Sequence, residues 1–237
     1  MSSLPFSYHI RRSQRATRIR IVVTSTKIEI VAPPQIAERK LHQFVSEKQQ
    51  WIISALAKQA YRQPEMAPPV CYRDNVDITY QGMIYKLTIA PSKLKRVKIS
   101  FVDGFIAHVP QILLSTDYSD VIKAALISWM KQQARKQVQQ LVNHHGGKKQ
   151  LIPRSIIIKT QKSRWGSCGI HNDININWLL IMAPPEVLEY VVVHELCHIQ
   201  VRNHSACFWN LVAEHLPEYQ NQRHWLKQHG SYLMRGL

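Results

Sequence analysis

The chain has 237 residues, enough for one large domain or two small ones, and its hydrophobic content of 45% is ordinary for a globular protein. It carries 31 Lys and Arg residues against 15 Asp and Glu residues, a formal net charge of +16 that favours polyanionic partners through long-range attraction. No apolar run reaches the length of about 18 residues that a transmembrane helix needs, so the sequence excludes a membrane-spanning helix.

The cellular compartment is predicted from the N-terminus and the cysteines. The first residues, Met1 to His9, lack the charged and then apolar layout of a signal peptide. The four cysteines are scattered along the chain and include no C-x-x-C pair, which argues against a disulfide framework. We therefore expect a cytoplasmic protein with no membrane partner.

The first part of the chain is predicted to be rich in strands. Residues 35–61 carry apolar residues at helical spacing and are predicted to form one long helix whose buried stripe includes Trp51. A proline-containing connector is predicted at 62–74. Strands are predicted at 6–13, 17–31, 76–81, 84–90, 95–101 and 104–109, where alternating or apolar runs are bounded by turn residues. Residues 1–112 are therefore expected to form a β-rich N-terminal region.

The second part, residues 113–237, is predicted to be a separate domain. The start of its first helix can be capped by Ser115 or Thr116. Pro184-Pro185 opens a later helix that is apolar on nearly all sides, which is typical of a buried helix. Further elements are helices at 117–145, 205–215 and 218–229 and strands at 155–161 and 173–177. This mixture of helices and strands predicts the α+β fold class.

The helix after Pro185 contains His194-Glu195-Leu196-Cys197-His198, the H-E-x-x-H pattern of a zinc hydrolase. On a helix, residues four apart lie about 40° apart around the axis and about 6 Å along it, so His194 and His198 can present two imidazoles to one metal ion. Glu195 lies about 100° around from His194 and can reach a metal-bound water without being a ligand. A buried helix must compensate for carrying such polar groups, and a metal ion does so.

A catalytic zinc site usually has three protein ligands and an open fourth position, so a third ligand is needed. One candidate is His204, which a continuous helix would place about 9 Å further along the axis and roughly 240° around from His198. The helix must therefore end before His204. Asn203 is the predicted stop, because Asn tolerates the left-handed conformation that closes many helices. The other candidate is Glu214 on the next helix, and the residues alone leave both open.

Two stretches of the chain together resemble one family. The residues from His194 to His198, followed by Asn203-His204-Ser205 and Phe208-Trp209, resemble the YgjP-like metallopeptidases, relatives of the SprT-type zincins. Upstream, the family's second signature is similar to Ser163-Arg164-Trp165-Gly166-Ser167-Cys168, with Asn177-Trp178-Leu179-Leu180 following. The resemblance implies a zinc-dependent hydrolase with a zincin-like, gluzincin-type catalytic domain, and it favours His204 as the third ligand of a single zinc ion.

The predicted reaction is hydrolysis of a peptide bond. His194, His198 and His204 would hold the zinc, which lowers the pKa of its bound water towards about 7 and polarises the scissile carbonyl. Glu195 would be the general base, accepting the proton of that water and passing it to the leaving amine. The oxyanion needs a further donor, and Arg164 is the first candidate because it lies in the second signature.

Three further features near the predicted site have predicted roles. Arg164 and Trp165 have an alternative role, which is to lock their loop under the helix that carries His194. Gly166 is expected to supply a tight turn in that loop. The resemblance to zincins also implies an edge strand that pairs with an extended substrate, and residues 173–178, with Asn175 and Asn177, are predicted to supply it. The alternative is an ordinary edge strand.

Three functions are compatible with these patterns. The first is a zinc peptidase acting on peptides or proteins. The second is a nucleic-acid-associated, SprT-like protease, whose cleavage nucleic acid would stimulate in a salt-dependent way. The third is a non-enzymatic nucleic-acid-binding module whose zinc only braces the fold, and an open fourth coordination position would argue against it. In the second and third, the basic N-terminal half would be the recognition part.

Overall fold

The structure, a computed structural model, describes residues 4–24, 27–60, 70–147 and 150–237. The described residues contain six α-helices and three small sheets, so the predicted α+β class is confirmed. The chain divides into two compact units, Met1–Pro69 and Val70–Leu237. The boundary predicted between residues 112 and 113 thus falls inside the second unit. Most of the predicted connector at 62–74 lies outside the described residues.

The first unit is a three-stranded sheet followed by two helices. Strand β3 (Ile28–Ala32) is central, parallel to β1 (His9–Arg12) and antiparallel to β2 (Arg20–Val23). Helices α1 (Glu38–Glu47) and α2 (Gln49–Ala60) come next. The core of the unit combines residues of β3 with residues of both helices, namely Ile28, Ile30, Ala32, Leu41, Val45 and Ile52.

Helices α1 and α2 correct the prediction of one continuous helix over 35–61. The chain leaves helical geometry at Lys48, whose φ of −97° and ψ of 8° lie in the sparsely allowed bridge region. Because neither proline nor glycine stands there, no stop signal marks the break in the sequence. Trp51 lies just after the break and is 53% exposed, so its predicted place in the core is wrong.

The second unit begins with a four-stranded sheet in the order β4-β5-β7-β6. Its strands match the four predicted ones: β4 (Asp77–Tyr80), β5 (Met83–Ser92), β6 (Lys98–Phe101) and β7 (Phe105–Pro110). The two central strands, β5 and β7, are parallel, and the outer strands β4 and β6 pair antiparallel with them.

Helix α3 (Ser119–Gly146) joins this sheet to the core of the second unit. The helix buries one residue in each turn, namely Ile122, Leu126, Met130, Ala134, Val138 and Val142. Its Trp129 ring lies 5.2 Å from the rings of both Tyr80 and Phe105 of the sheet. This shared core is why the sheet groups with the later helices and not with residues 1–69.

The start of α3 is capped differently from the prediction. Ser115 and Thr116 do not cap it, since their hydroxyls donate to backbone carbonyls of the preceding turn. Instead, the carboxylate of Asp117 accepts the N–H of Ser119 at 3.1 Å. A negative charge at this end also suits the positive pole of the helix dipole.

The turn between β4 and β5 attaches the sheet to the chain that precedes the next helix. Gln81 and Gly82 have positive φ values of 51° and 78°, as in the two-residue turns that match strand twist. Their N–H groups donate to the carbonyls of Ile181 and Met182 at 2.9 Å. A Cβ atom at Gly82 would lie 3.0 Å from the ring of Pro184, so this approach requires glycine.

A third sheet has the order β8-β10-β9. Strand β10 (Asp173–Asn177) is central, parallel to β8 (Ser155–Lys159) and antiparallel to β9 (Gly166–Cys168). The prediction that residues 173–178, with Asn175 and Asn177, form a substrate-pairing edge strand is therefore wrong. The edge strands of this sheet are instead β8 and β9. The sequence predicts a loop where β9 lies, because three residues are too few to show an alternating pattern.

Helix α4 (Pro185–Cys197) lies at the centre of the second unit. It contacts α3, β9, β10 and two later helices, α5 (Ala206–His215) and α6 (Tyr219–Leu233). Pro185 stands in its first turn, where a missing N–H leaves no intrahelical bond unmade. Neighbours cover the helix on several sides, which matches its nearly all-round apolar character, and Glu195 is buried inside the protein.

Candidate metal centre

Three histidine rings form a nearly equilateral triangle at the end of α4. The ring centroids of His194 and His198 are 4.9 Å apart, and the ring of His204 lies 5.0 Å from the first and 4.8 Å from the second. His194 lies in the last turn of α4 and His198 is its C-terminal cap. The structure thus brings together the three histidines that the sequence singles out.

His204 reaches the other two because the chain turns sharply after His198. The helix closes there through a hydrogen bond from the N–H of Val201 to the carbonyl of Cys197, at 3.0 Å. The predicted left-handed stop at Asn203 is wrong, since its φ is not positive. The Asn203 side chain instead accepts the N–H of Ser205 at 3.2 Å, which shapes the turn that leads into α5.

The ring of Phe208 packs against all three histidine rings. It belongs to α5 and is fully buried. Its ring lies 4.9 Å from the ring of His194, 4.4 Å from that of His198 and 4.9 Å from that of His204. One aromatic ring therefore packs against all three imidazoles and limits how far any of them can tilt.

The histidine nitrogens point towards one another. One nitrogen from each ring lies within 4.8 Å of the other two. The Nε2 atoms of His194 and His204 are 3.1 Å apart. Two nitrogens bound at about 2.0–2.1 Å to one tetrahedral zinc would be about 3.3 Å apart, so this spacing fits a shared metal ion.

The protonation of the rings also suits a metal. Burial lowers the pKa of His194 to about 3, with smaller contributions from the charges of His198, His204 and Arg223, so the ring is neutral near pH 7. His198 has its Nδ1 2.9 Å from the carbonyl of Val201, an arrangement that leaves Nε2 for a ligand. The Nδ1 of His194 is buried without a hydrogen-bond partner among the described residues, and its Nε2 faces the cluster.

Glu195 lies beside the triangle and is held by strand β9. Glu195 as a whole residue is 5% exposed, and its carboxylate accepts a hydrogen bond from the backbone N–H of Cys168. Burial raises the pKa of Glu195 to about 7, and this hydrogen bond opposes the shift. A Cβ atom at Gly166 would lie 2.5 Å from Oε1 of Glu195, so only glycine allows the strand to approach this closely. Gly166 thus serves this contact and not the predicted tight turn.

Within the part of the chain that the structure describes, β9 is an edge strand, and its unpaired edge lies on the side of Glu195. Trp165 and Gly169 form backbone hydrogen bonds to β10, with Asn177 and Asp173, and the paired Ser167 lies between them. Because backbone groups alternate in direction along a strand, those of Gly166 and Cys168 point away from β10. The Cys168 N–H is the group that reaches Glu195. The edge beside the candidate site is therefore β9.

Arg202 fastens the turn between His198 and His204 to the hairpin of β9 and β10. One of its guanidinium nitrogens donates to the carbonyl of Gly169 at 2.7 Å and lies 3.3 Å from the sulfur of Cys168. The other donates to the side chain of Asn172. Sequence reasoning missed this residue, and its position between two candidate ligands is the one signal that could have found it.

Neither Arg164 nor Trp165 is part of the histidine cluster. Arg164 is exposed, and its backbone carbonyl accepts the side-chain N–H of Asn177 at 3.1 Å. Trp165 is half-buried and packs against α6, where a Cβ atom at Gly230 would lie 3.3 Å from its ring. Within the described residues, no hydrogen bond or ion pair joins the Arg164 side chain to the three histidines.

Asn175 and Asn177 have internal partners. The side chain of Asn175 donates to the Ser167 hydroxyl at 3.2 Å, which links β10 to β9. Asn177 is fully buried and donates to the carbonyls of Gln161 and Arg164, so it fixes the chain before β9. These contacts bind strands and loops of the protein to one another.

Glu214, the alternative third ligand, does not join the cluster. It is exposed, and the group of convergent donors contains His204 in its place. Burial raises the pKa of the Cys197 thiol to about 12, and the charge of Glu214 adds to that shift, which places Glu214 on the Cys197 side of α4. The geometry therefore favours His204.

An aromatic column connects α6 to the histidine cluster. The ring of Trp209 stacks on that of Tyr219 at 5.4 Å, and Tyr219 stacks on Tyr190 of α4 at 6.3 Å. Trp209 also stacks on the ring of His204 at 5.6 Å. The guanidinium of Arg223 lies over Trp209, 4.5 Å from the ring centre.

Two histidines one helical turn apart, a buried glutamate between them and a third histidine beyond the helix define a site of the kind that metal-dependent hydrolases use. Comparison with protein families gives the same class: the family described as "YgjP-like, metallopeptidase domain" matches residues 17–229. The chain belongs to this YgjP-like family, as the sequence resemblance predicts. A comparison with curated proteins found no match. None of the helices in the described ranges has both the length and the apolar character needed to cross a bilayer.

Proposed function

We propose that this protein is a zinc-dependent peptidase in which His194, His198 and His204 hold one Zn²⁺ ion and Glu195 is the general base. The observation that carries the proposal is the triangle of three imidazoles with a buried carboxyl beside it. Three imidazoles are a ligand set that catalytic zinc sites use. Membership of a metallopeptidase family supports the peptide bond as the target.

Glu195 has the surroundings that its role requires. When bound, zinc lowers the pKa of a coordinated water and polarises the scissile carbonyl. Glu195 takes up the proton of the attacking water and delivers it to the leaving amine. Its pKa of about 7, raised by burial, suits both acceptance and release of a proton near neutral pH. The N–H of Cys168 holds the carboxylate in one orientation.

The number of ligands favours catalysis over a structural role. Among the described residues, no fourth His, Cys, Asp or Glu converges with the three histidines. A structural zinc site is closed by four protein ligands, whereas a catalytic site keeps one position for water or substrate. This observation supports an enzyme and argues against a module whose zinc only braces the fold.

Strand β9 supports a mode of substrate binding. The backbone groups of Gly166 and the carbonyl of Cys168 point away from β10, on the side of Glu195. An extended peptide can pair with such an edge through main-chain hydrogen bonds, which bind many sequences with similar strength. We assign this role to β9 in place of β10.

Zinc content and cleavage, measured together, test the proposed function. The full-length protein is stripped of metal and reloaded with zinc, and a peptide library is profiled for cleavage beside the Glu195→Gln variant. We expect about one zinc per chain in both proteins and cleavage by the unchanged protein alone. The loss should be at least about 100-fold, because general-base catalysis contributes about 10²–10⁴-fold.

Two results would contradict this proposal. Failure of the reloaded wild-type protein to retain zinc would remove the three histidines from their role. Equal cleavage by the zinc-loaded wild-type and Glu195→Gln proteins would remove Glu195 as the base, while leaving the metal site in place.

A further inference from the structure

We propose that Arg223 forms an anion-binding subsite beside the histidine cluster, where its guanidinium binds a negatively charged oxygen of the substrate. The inference rests on the proposed function, because that oxygen belongs to the molecule hydrolysed at the cluster. The ligand chemistry is an oxygen anion. It can come from a carboxylate of the substrate or from the scissile carbonyl oxygen, which becomes negative when water adds to its carbon.

The position of Arg223 is fixed by aromatic packing. Its guanidinium lies over Trp209 at 4.5 Å, and Trp209 stacks on His204 at 5.6 Å and lies 5.8 Å from His194. Tyr219, one helical turn before Arg223 on α6, stacks on the same indole at 5.4 Å. The guanidinium is therefore held one indole ring away from the candidate metal ligands.

The hydrogen-bond donors of Arg223 are available. Stacking on an indole uses the face of the guanidinium, whereas its five N–H donors lie in the plane of the group. Within residues 4–24, 27–60, 70–147 and 150–237, no carboxylate pairs with Arg223 and no acceptor takes a hydrogen bond from its side chain. The planar fork of donors matches the two oxygens of a carboxylate or a phosphate.

The charge around Arg223 favours an anion. Arg223 is exposed, and its guanidinium carries one positive charge next to Trp209, whose ring contacts those of His204 and His194. A divalent ion on the three histidines would add two further positive charges. An oxygen anion of a substrate bound at the cluster that comes within reach of Arg223 is attracted by both charges, because the Coulomb attraction acts over a distance.

A structural role for Arg223 is the alternative. A guanidinium over an indole stabilises the fold even at an exposed position and without any ligand. Arg235 offers a matched comparison, because it also lies over an aromatic ring, that of Tyr232 at 5.7 Å, near the end of α6. Removal of each guanidinium should therefore separate binding from packing.

The test is calorimetric titration of the zinc-loaded, full-length protein with inorganic phosphate, which serves as the oxygen-anion probe. Arg223→Gln should weaken phosphate binding by about 10-fold or more, the effect of losing one charge-assisted hydrogen bond in the bound complex. Arg235→Gln should leave the affinity unchanged. Arg223→Met, whose apolar side chain keeps the contact with Trp209, repeats the test if the Gln variant does not fold.

The outcomes separate the subsite from the proposed function. Equal phosphate affinity in the wild-type and Arg223→Gln or Arg223→Met proteins, at equal zinc content, overturns the subsite and leaves the metal site intact. A wild-type protein that retains no zinc overturns the proposed function, whatever happens to phosphate.

Steady-state kinetics identify the source of the oxygen. A peptide that the zinc-loaded protein cleaves is made with a free carboxylate and with an amide at its C-terminus. A fall in kcat for both peptides on Arg223→Gln, with little change in KM, assigns the subsite to the scissile carbonyl oxygen. A rise in KM confined to the free-carboxylate peptide assigns it to a substrate carboxylate. Unchanged kcat and KM for both peptides would overturn the subsite.

Discussion

Gly166 shows how the absence of a Cβ atom at one position lets another residue, Glu195, take its place. The glycine lies in a short strand with no left-handed backbone, so its own conformation does not require glycine. Its neighbour does, because a Cβ atom would lie 2.7 Å from Cγ and 2.8 Å from Cδ of Glu195. Any larger residue must displace the carboxyl from the N–H of Cys168.

We therefore predict that Gly166→Ala lowers kcat by about 100-fold while zinc stays bound, since a misplacement of about 1 Å costs a rate factor of that order. Peptide hydrolysis and zinc content measured on the same sample check this. Gly147→Ala is the matched control, because a Cβ atom there would meet nothing within 4 Å. Full activity of Gly166→Ala would show that Glu195 tolerates displacement.

The third ligand can be tested by removing each candidate in turn. His204→Ala should weaken zinc binding by more than about 100-fold, since even the partners of metal ligands contribute about 10–100-fold. Glu214→Ala should leave zinc affinity unchanged, because Glu214 lies outside the histidine cluster. Competition with a chromogenic chelator measures both affinities. The reverse result would transfer the role to Glu214.

For single residues, the sequence could predict the side chains that the proposed chemistry requires. It could not predict the residues that hold those side chains in position. His194, Glu195 and His198 follow from helical spacing, which depends only on neighbours along the chain. Arg202 and Gly166 act on residues about 30 positions away, and nothing in their local pattern shows which partner the fold brings to them.

Strand β9 shows why an element can be harder to predict than a residue. It has three residues, one of them glycine, and so carries no alternating pattern. Its neighbour β10 reads clearly as a strand, yet its central place depends on pairing with β9 and β8. The existence of β10 can be predicted from its own sequence. Its central position in the sheet can be predicted only when its pairing with β8 and β9 is known.

The β8–β10 pair contains a pH-dependent link. Arg154 and Ser155 donate to the carboxylate of Asp173, at 2.9 and 2.6 Å to Oδ1, and these bonds hold the pKa of Asp173 below its usual value. A carboxyl with a lowered folded-state pKa adds stability above its unfolded pKa of about 3.9, and this stability is lost as the pH falls through the folded value.

Asp173→Asn should therefore lower the free energy of unfolding at pH 7 and have a smaller effect at about pH 3, below the unfolded pKa of about 3.9. Urea unfolding at both pH values measures the difference. Asp103→Asn, in the turn between β6 and β7, is a suitable control because no ion pair involving Asp103 occurs in the described residues. An equal loss at both pH values would show that charge on Asp173 does not matter.

At the scale of the whole molecule, the net positive charge per residue is higher in the first unit than in the second. Residues 1–69 contain eleven Lys and Arg against four Asp and Glu. Arg15, Arg18 and Arg20 are exposed there. Exposed cations with no fixed acid partner release counterions when they bind phosphates, so we predict that the protein binds nucleic acid with an affinity that falls steeply as salt is raised.

Fluorescence anisotropy with a labelled oligonucleotide tests this prediction. Replacing Arg15, Arg18 and Arg20 by Gln should reduce the slope of log K against log salt by about 1 for each phosphate that the variant no longer neutralises. Replacing Lys93, Lys95 and Arg96, a basic cluster of the second unit, is the control and should change the slope less. If the protein does not bind the oligonucleotide even at low salt, the prediction is wrong and the basic residues form only a solvated surface.

The two halves of the candidate centre have very different origins along the chain. The three imidazoles come from eleven consecutive residues, 194–204, whereas the glycine that seats Glu195 arrives on a strand built with β10. A state in which β9 is detached from α4 would therefore keep the three imidazoles together but lose the contacts that position Glu195. On the proposed function, such a partly folded chain would bind zinc without cleaving peptides.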